Sequence, residues 1–412
     1  MKLQLLLRTL RCALYVTQNT LRKARNAKYA IISDMETQKN TKFNPFLVFG
    51  YATPEYFCDR EIESERIIDA MENARNLTIM SLRRMGKTGL IQHILNSKRL
   101  KEQADCFYID IYPTNDLNDF VKVFGKEIIG KLDKKQDILL KKAALFFKSI
   151  RPIFAIDSIT GSPQLQITLA DERFPEQGLD EIFNYLRQSK RKIVVAFDEF
   201  QQISNYPQKN IEALLRTYSQ QTNNVSFIYS GSQKHILQNM FTSYSRPFYQ
   251  SSEFLFLEPI PIESYSPFII KKMKEGKKQI TQEAINYLYN SVYGHTWYIQ
   301  YVMNRLYSSP HKIIDETIIQ QWMEKLVLEK ESIYWSYYRL LTNMQWSLLK
   351  AISFEGNLKE PTSKEFTQKY NFSPSSVKTA LKSLIEKEMV YEENGVYFVY
   401  DHFLSLWLCL KY

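Results

Sequence analysis

The chain has 412 residues, 44% apolar and 24% charged, with 27 Tyr, 25 Phe and 5 Trp. That composition excludes a disordered polymer, and at ~100–200 residues per domain the length predicts two or three domains, each with its own core. Fifty-four basic residues against 44 acidic ones give a formal charge of +10, which taken alone points to a polyanionic partner such as DNA, RNA or a membrane surface.

Much of that charge is local. Residues 1–34 carry Lys2, Arg8, Arg11, Arg22, Lys23, Arg25 and Lys28 against Asp34 alone, a net +6. Arg8 and Arg11 interrupt the apolar run that a secretory signal requires. The stretch reads as an upstream extension with the folded chain starting at Met35, as a basic organellar presequence, or as a weakly ordered amphipathic arm, and no chemistry is assigned to it. Cys12, Cys58, Cys106 and Cys409 lie far apart with no CxxC pair and no Cys/His cluster, which excludes a zinc site or disulfide framework and suits a reducing, cytoplasmic setting. No apolar run reaches the ~18 residues of a conventional membrane span.

The strongest local signal lies at residues 76–100. Leu77-Thr78-Ile79-Met80 is an apolar strand pattern, Ser81-Leu82-Arg83-Arg84-Met85-Gly86-Lys87-Thr88 follows, and Gly89 opens a run at helical spacing. Strand, loop, Gly-Lys-Thr and helix is the context of a phosphate-binding Walker A loop. Backbone N–H groups of Ser81 through Gly89 would wrap the phosphates, where the helix dipole favours negative charge. Gly86 must lack a Cβ so that backbone can approach them. Lys87 would reach the β- and γ-phosphates of ATP, and the Thr88 hydroxyl would ligate Mg²⁺. Ser81 stands in place of the motif's first glycine.

Residues 191–203 read RKIVVAFDEFQQI. Ile193–Phe197 has the unbroken apolar pattern of a buried parallel strand and ends in an acid pair. Isolated strand-end acids are usually solvated caps; paired with Gly-Lys-Thr upstream, Asp198 reads as the metal-side acid and Glu199 as the carboxylate that polarises the attacking water. Further strands are expected over 106–111, 225–229 and 254–257, with a helix over 210–220. The 106–111 strand between phosphate loop and acid pair, with Glu beside the metal-side Asp, matches the additional-strand branch of P-loop ATPases. Ser230 or Ser232, closing the 225–229 strand, then occupies the position of a γ-phosphate sensor; a simple Ser turn is the plainer alternative for either.

With these pieces in place the sequence resembles the archaeal/bacterial ATPase family of the AAA+/STAND P-loop ATPases, from about Asn44 to Leu408. The resemblance rests on Phe57-Cys58-Asp59-Arg60-Glu61, the Arg-Arg-Met-Gly-Lys-Thr loop, FDEFQ at 197–201, YSGSQ at 229–233 and Ser245-Arg246-Pro247-Phe248-Tyr249. Ser81 is a departure met in related members. Asp59 replaces a family glycine, and Gly294-His295-Thr296 stands where Gly-x-Pro is expected. The resemblance implies a helical lid over about 261–309, which the helical patterning there supports; Trp297, Tyr298, Tyr301 and Leu306 read as its core. It also implies γ-phosphate sensing by Arg246, in cis or across a subunit contact, with a structural ion pair as the alternative, and nucleotide-dependent self-association.

From about residue 338 short helices give way to two strand patterns straddling Glu393-Asn394-Gly395, a hairpin turn signal. Three helices and a hairpin make a winged helix, whose recognition helix would start at the Ser373 N-cap with Pro374 at its first position. Residues 346–412 contain eight lysines, no arginine and eight acids. DNA readers present Arg to bases and a basic face to phosphates, so the module reads first as a protein contact and second as a DNA contact.

The expected fold is α/β: a P-loop parallel sheet of the AAA+-like, additional-strand type with a helical lid and a C-terminal winged helix. The expected divisions are a basic extension at 1–43, an ATPase domain at 44–260, lid and linker helices at 261–337, and the winged helix at 338–412. The expected function is a slow ATPase switch using ATP and Mg²⁺, with no membrane contact. A nucleotide-dependent DNA-binding factor and a scaffold without turnover are the rivals.

Overall fold

The computed structural model describes residues 43–132, 147–156 and 163–412. The basic stretch 1–34 lies outside the described residues, and every described helix and strand belongs to the unit Phe46–Tyr412.

In chain order, α1 (Glu61–Glu72) leads to β1 (Leu77–Met80), α2 (Lys87–Leu95), α3 (Lys98–Gln103), β2 (Ala104–Asp110) and α4 (Leu117–Leu132). A hairpin of β3 (Ile150–Ile156) and β4 (Pro163–Leu169) precedes α5 (Pro175–Arg187), β5 (Lys192–Asp198), α6 (Ile211–Gln220), β6 (Val225–Gly231), α7 (Lys234–Thr242) and β7 (Glu253–Phe256). The main sheet runs β2-β5-β6-β1-β7 with every pairing parallel. β6, late in the chain, is the strand that separates the loop strand β1 from the acid strand β5; β2 lies at the edge beyond β5. The additional-strand arrangement is therefore present, but the strand inserted between loop strand and acid strand is β6; the 106–111 strand, which intervenes in the sequence, takes the sheet edge because among the described residues it pairs only with β5.

The central strands are buried on both faces, which is why they read as unbroken apolar runs. Along β5 successive side chains point to opposite sides. Val195 and Phe197 join Phe120, Phe124, Phe183 and Phe227 on one face, and Val194 and Ala196 join Leu77, Ile79, Leu90 and Ile94 on the other. Helices therefore cover both faces and leave the C-terminal strand ends free for a site.

A second body follows, from α8 (Ile262–Glu275), α9 (Gln282–Ser291) and α10 (Thr296–Tyr307) through α11 (Glu316–Leu328) and α12 (Glu331–Leu340); β8 (Gln279–Ile280) and β9 (Ile313–Ile314) pair between its helices. The winged helix comprises α13 (Asn343–Glu355), α14 (Lys364–Lys369), α15 (Pro374–Glu386), the hairpin β10 (Val390–Glu393) and β11 (Val396–Val399), and α16 (His402–Lys411). Ser373 caps α15, its Oγ accepting from Ser376 N at 3.2 Å.

Three features differ from the sequence expectation. The β3–β4 hairpin is not among the expected elements, although the alternation Gln164-Leu165-Gln166-Ile167 carries its period-two signal. The closing helix α16 is a second addition, because Phe403, Leu404, Trp407 and Leu408 make it almost wholly apolar and mask its periodicity. Those residues join Tyr265, Ile299, Val302 and Leu349 in one continuous core, so lid and winged helix share a core instead of each having its own. Among the described residues no helix is long and apolar enough to cross a membrane.

Candidate functional site

At the C-terminal ends of β1 and β5 a cleft of about 590 Å³ is lined by Arg83 through Gly89, Tyr108, Asp110, Asp198, Glu199 and Ser232, with Phe57, Cys58, Ile260, Thr296 and Trp297 at its other end. The volume falls within the ~300–1,000 Å³ of small-ligand pockets.

Gly86 takes φ +97°, a left-handed conformation that glycine adopts without a Cβ penalty, and so turns the loop into α2. Lys87 is buried (5% exposed). Its Nζ donates to Ser81 Oγ and Leu82 O, each at 3.0 Å, and to Ser81 O at 3.4 Å. Ser81, in the position of the motif's first glycine, thus supplies two of the acceptors that hold the lysine. Burial pulls the Lys87 ammonium down to about 8, against the opposing fields of Glu199 and Asp198.

Asp198 is the centre of the site. It is 3% exposed, and its carboxylate accepts from Thr88 Oγ1 at 2.6 Å, Tyr108 OH at 2.8 Å, Ser230 Oγ and the Glu199 amide at 3.1 Å. Glu199 adopts φ +56°, uncommon for a non-glycine residue. Its Oε2 accepts from Gln201 Nε2 at 2.6 Å, Ser232 Oγ at 2.8 Å and Ser232 N at 3.2 Å. The Thr88 and Asp198 oxygens are hard donors suited to Mg²⁺, which is commonly held by one or two protein groups plus substrate phosphates. Among the described residues no group of three His, Cys, Asp or Glu side chains forms a self-sufficient metal cage.

The two serines at the end of β6 divide: Ser230 binds Asp198 beneath the cleft and Ser232 faces the cleft and binds Glu199. Ser81 and Leu82 line an adjoining chamber of about 80 Å³. Arg246 lies outside the cleft lining, paired with Glu212 through Nη2 and through Nε at 3.0 Å. Arg83 reaches Glu388 of the winged helix at 2.8 Å, and Arg84 stacks over Trp297 of α10 at 4.6 Å. Asp59, in place of the family glycine, takes φ +58°, a conformation Asp tolerates.

Sequence reasoning missed Tyr108 and Asp110, though Asp110 pairs in register with Asp198 across the parallel ladder. It also missed the groups that clasp the loop from other domains. The Arg83 amide donates to Tyr400 OH at 2.7 Å, and the Arg83 carbonyl meets His295 Nε2 at 3.0 Å. A carbonyl only accepts, so Nε2 carries a proton, and burial keeps the ring neutral with that as its one proton. His295 packs edge-on to His402; burial drives His295 down to about 4 and His402 to about 3, each near 6.5 in a free chain.

These depressed values carry a linkage. Between pH 6.5 and 4 the unfolded chain binds protons that the folded chain refuses, so stability falls as pH falls through that window. Replacing His402 with Phe is expected to flatten the urea-unfolding free energy against pH there, by about 3 kcal/mol at the acid end. An unchanged slope would remove His402 as its source.

Residues 57–302 match a family described as "ATPase domain predominantly from Archaea", and residues 332–409 match one described as "Probable winged helix domain". No curated protein sequence matches the chain. Among solved structures, the Walker-type ATPase PABY2304 of Pyrococcus abyssi is 17% identical with a TM-score of 0.60, over 89% of this chain and 99% of that one. The ORC2 protein of Aeropyrum pernix, solved as ADPNP–ADP complexes, is 14% identical with a TM-score of 0.52, over 89% and 95%. At such identities the two structures speak to the fold alone. The first family match spans more than half of the sequence, and the chain therefore belongs to that ATPase family, on the AAA+ P-loop fold.

Proposed function

We propose that this protein is a slow, Mg²⁺-dependent ATPase acting as a nucleotide-driven switch, divided as the sequence suggests into an ATPase domain at 44–260, lid and linker at 261–337 and a winged helix at 338–412. The observation that carries the proposal is the convergence of Lys87, Thr88, Asp198 and Glu199 on one cleft. Lys87 and the loop amides bind the phosphates; Thr88 and Asp198 would hold Mg²⁺, which supplies charge neutralisation between phosphate oxygens when bound. Glu199 orients a water and takes its proton. Gln201 and Ser232 both hold the Glu199 carboxylate, and Lys87 is turned onto its own loop. Both must rearrange before turnover, which favours a slow cycle.

The switch reading is supported by the clasp on Arg83. One loop residue is bound through its amide by the winged helix and through its carbonyl by the lid, so any change in the loop on nucleotide exchange must reach both. The partner of the winged helix is proposed to be a protein. Its turn, Glu392-Glu393-Asn394-Gly395, is acidic, and Lys382 of α15 already lies 3.9 Å from Glu386. The setting is proposed to be cytoplasmic, and nucleotide-dependent self-association is retained as part of the proposal.

Lys87→Ala is expected to abolish ATP binding in equilibrium titration, whereas Glu199→Gln keeps binding and loses phosphate release by roughly a hundredfold or more. Full activity of Glu199→Gln would sink the assignment of Glu199. A Cβ at Gly231 would stand 1.9 Å from Gln201 Oε1, so Gly231→Ala should displace Gln201 and alter turnover while leaving ATP affinity nearly unchanged; equal loss of both would mean a folding defect. For the switch, amide exchange over 388–400 should differ between ADP-bound protein and ATP-bound Glu199→Gln, and Tyr400→Phe should erase much of that difference. Identical exchange in the two states would make ATP a static ligand.

A further inference from the structure

A second cleft, of about 620 Å³, lies between the ATPase body and the winged helix and meets the phosphate cleft at Ser232. One wall is the start of α7 with Lys234, together with Phe256 and Glu258 at and beyond the end of β7; the other is the whole of β10 with Tyr397 and Tyr400. Leu82, Lys234, Phe256, Glu258, Tyr391 and Glu393 also border the 80 Å³ chamber behind the phosphate loop, so cleft and chamber adjoin.

The chemistry of the walls is one-sided. Four glutamates, Glu258, Glu388, Glu392 and Glu393, face one lysine. Arg83 neutralises Glu388 at 2.8 Å and Lys234 neutralises Glu393 at 3.3 Å, which among the described residues leaves Glu258 and Glu392 without a cation. Lys234 also lies 5.6 Å over the Phe256 ring. The protein has thus placed one of its own ammonium groups between an aromatic face and a carboxylate of this cleft, both of which attract cations. In the adjoining chamber His295, 5% exposed, has an Nδ1 with no partner. Since its Nε2 carries the proton, Nδ1 is a lone-pair acceptor. Across these walls carboxylates outnumber cations.

The backbone narrows the occupant. Among the described residues β10 pairs only with β11, and all four of its residues line the cleft. An open strand edge along a groove is the template for an added extended strand. We infer that this cleft docks an extended, Lys/Arg-bearing polypeptide segment of a partner protein along β10, its cationic side chains set between the tyrosines and the glutamates. The inference deepens the protein-contact reading of the winged helix and rests on it.

The test uses the full-length protein and a fluorescein-labelled peptide of alternating Arg and Val, with the Glu–Val counterpart as control, followed by anisotropy. The Arg peptide is expected to bind and the Glu peptide not. The double variant Glu258→Lys/Glu392→Lys, at sites outside the ATP machinery, should weaken binding about tenfold while ATP affinity holds. Lys234→Ala, which removes the built-in competitor, should tighten binding several-fold, a result that a merely structural role for Lys234 would not give. Absence of binding by the unaltered protein, or binding indifferent to the double variant, overturns the inference. So does spermine displacing the peptide at equal concentration, since a flexible polyamine has no backbone for β10. Failure of the broader reading looks different: a DNA duplex whose binding is lost in Lys378→Glu/Lys382→Glu makes the winged helix a DNA contact, whatever the peptide does.

Discussion

A buried carboxylate governs this structure. Asp198 sits at the end of the central acid strand with almost no contact with water, and a charge in that position is very costly unless it is fully hydrogen-bonded. Its donors arrive from four directions: Thr88 at the start of α2, Tyr108 on the neighbouring strand β2, Ser230 on β6, and the next amide of its own chain. Meeting that demand fixes the register of the strand ends and sets the phosphate loop against the acid strand. The same network places Thr88 and Asp198 where a hard cation beside a phosphate would find oxygen ligands.

Around this fixed centre lie groups in strained backbone or paired within the site itself. Glu199 holds a left-handed backbone that costs of order 1–3 kcal/mol for a non-glycine residue and persists only because its surroundings over-determine it. The carboxylate so aimed is taken by Ser232 and Gln201, and Gln201 in turn approaches Gly231 so closely that a side chain there has no room. Lys87 is similarly satisfied by its own loop.

Arg83 carries the consequences outward. Its backbone is shared between Tyr400 and His295, and its guanidinium is held by Glu388, while Arg84 beside it lies on Trp297. Lid and winged helix share one apolar core, so a displacement of one is transmitted to the other by packing. The two buried histidines at that junction stay neutral at ordinary pH, which keeps the contact free of an uncompensated charge. The acidic face of the wing meets the ATPase body here.

Elements whose chemistry is local are legible in the residues alone. Gly86-Lys87-Thr88 between an apolar run and a helix pattern, and an acid pair closing an unbroken apolar strand, each carry their signal within a short stretch, because loop conformation and strand burial act through near neighbours. The winged-helix hairpin was legible for the same reason, from Asn394-Gly395. Tertiary structure alone decided which of the two serines after β6 serves Asp198 and which Glu199, that Arg246 is spent on Glu212, and that Tyr108, His295 and Tyr400 bear on the site. The partners in these contacts stand between 32 and 317 residues apart along the chain. No periodicity or spacing encodes such meetings; they arise only when parallel strands, lid and winged helix pack and buried polar groups must find partners.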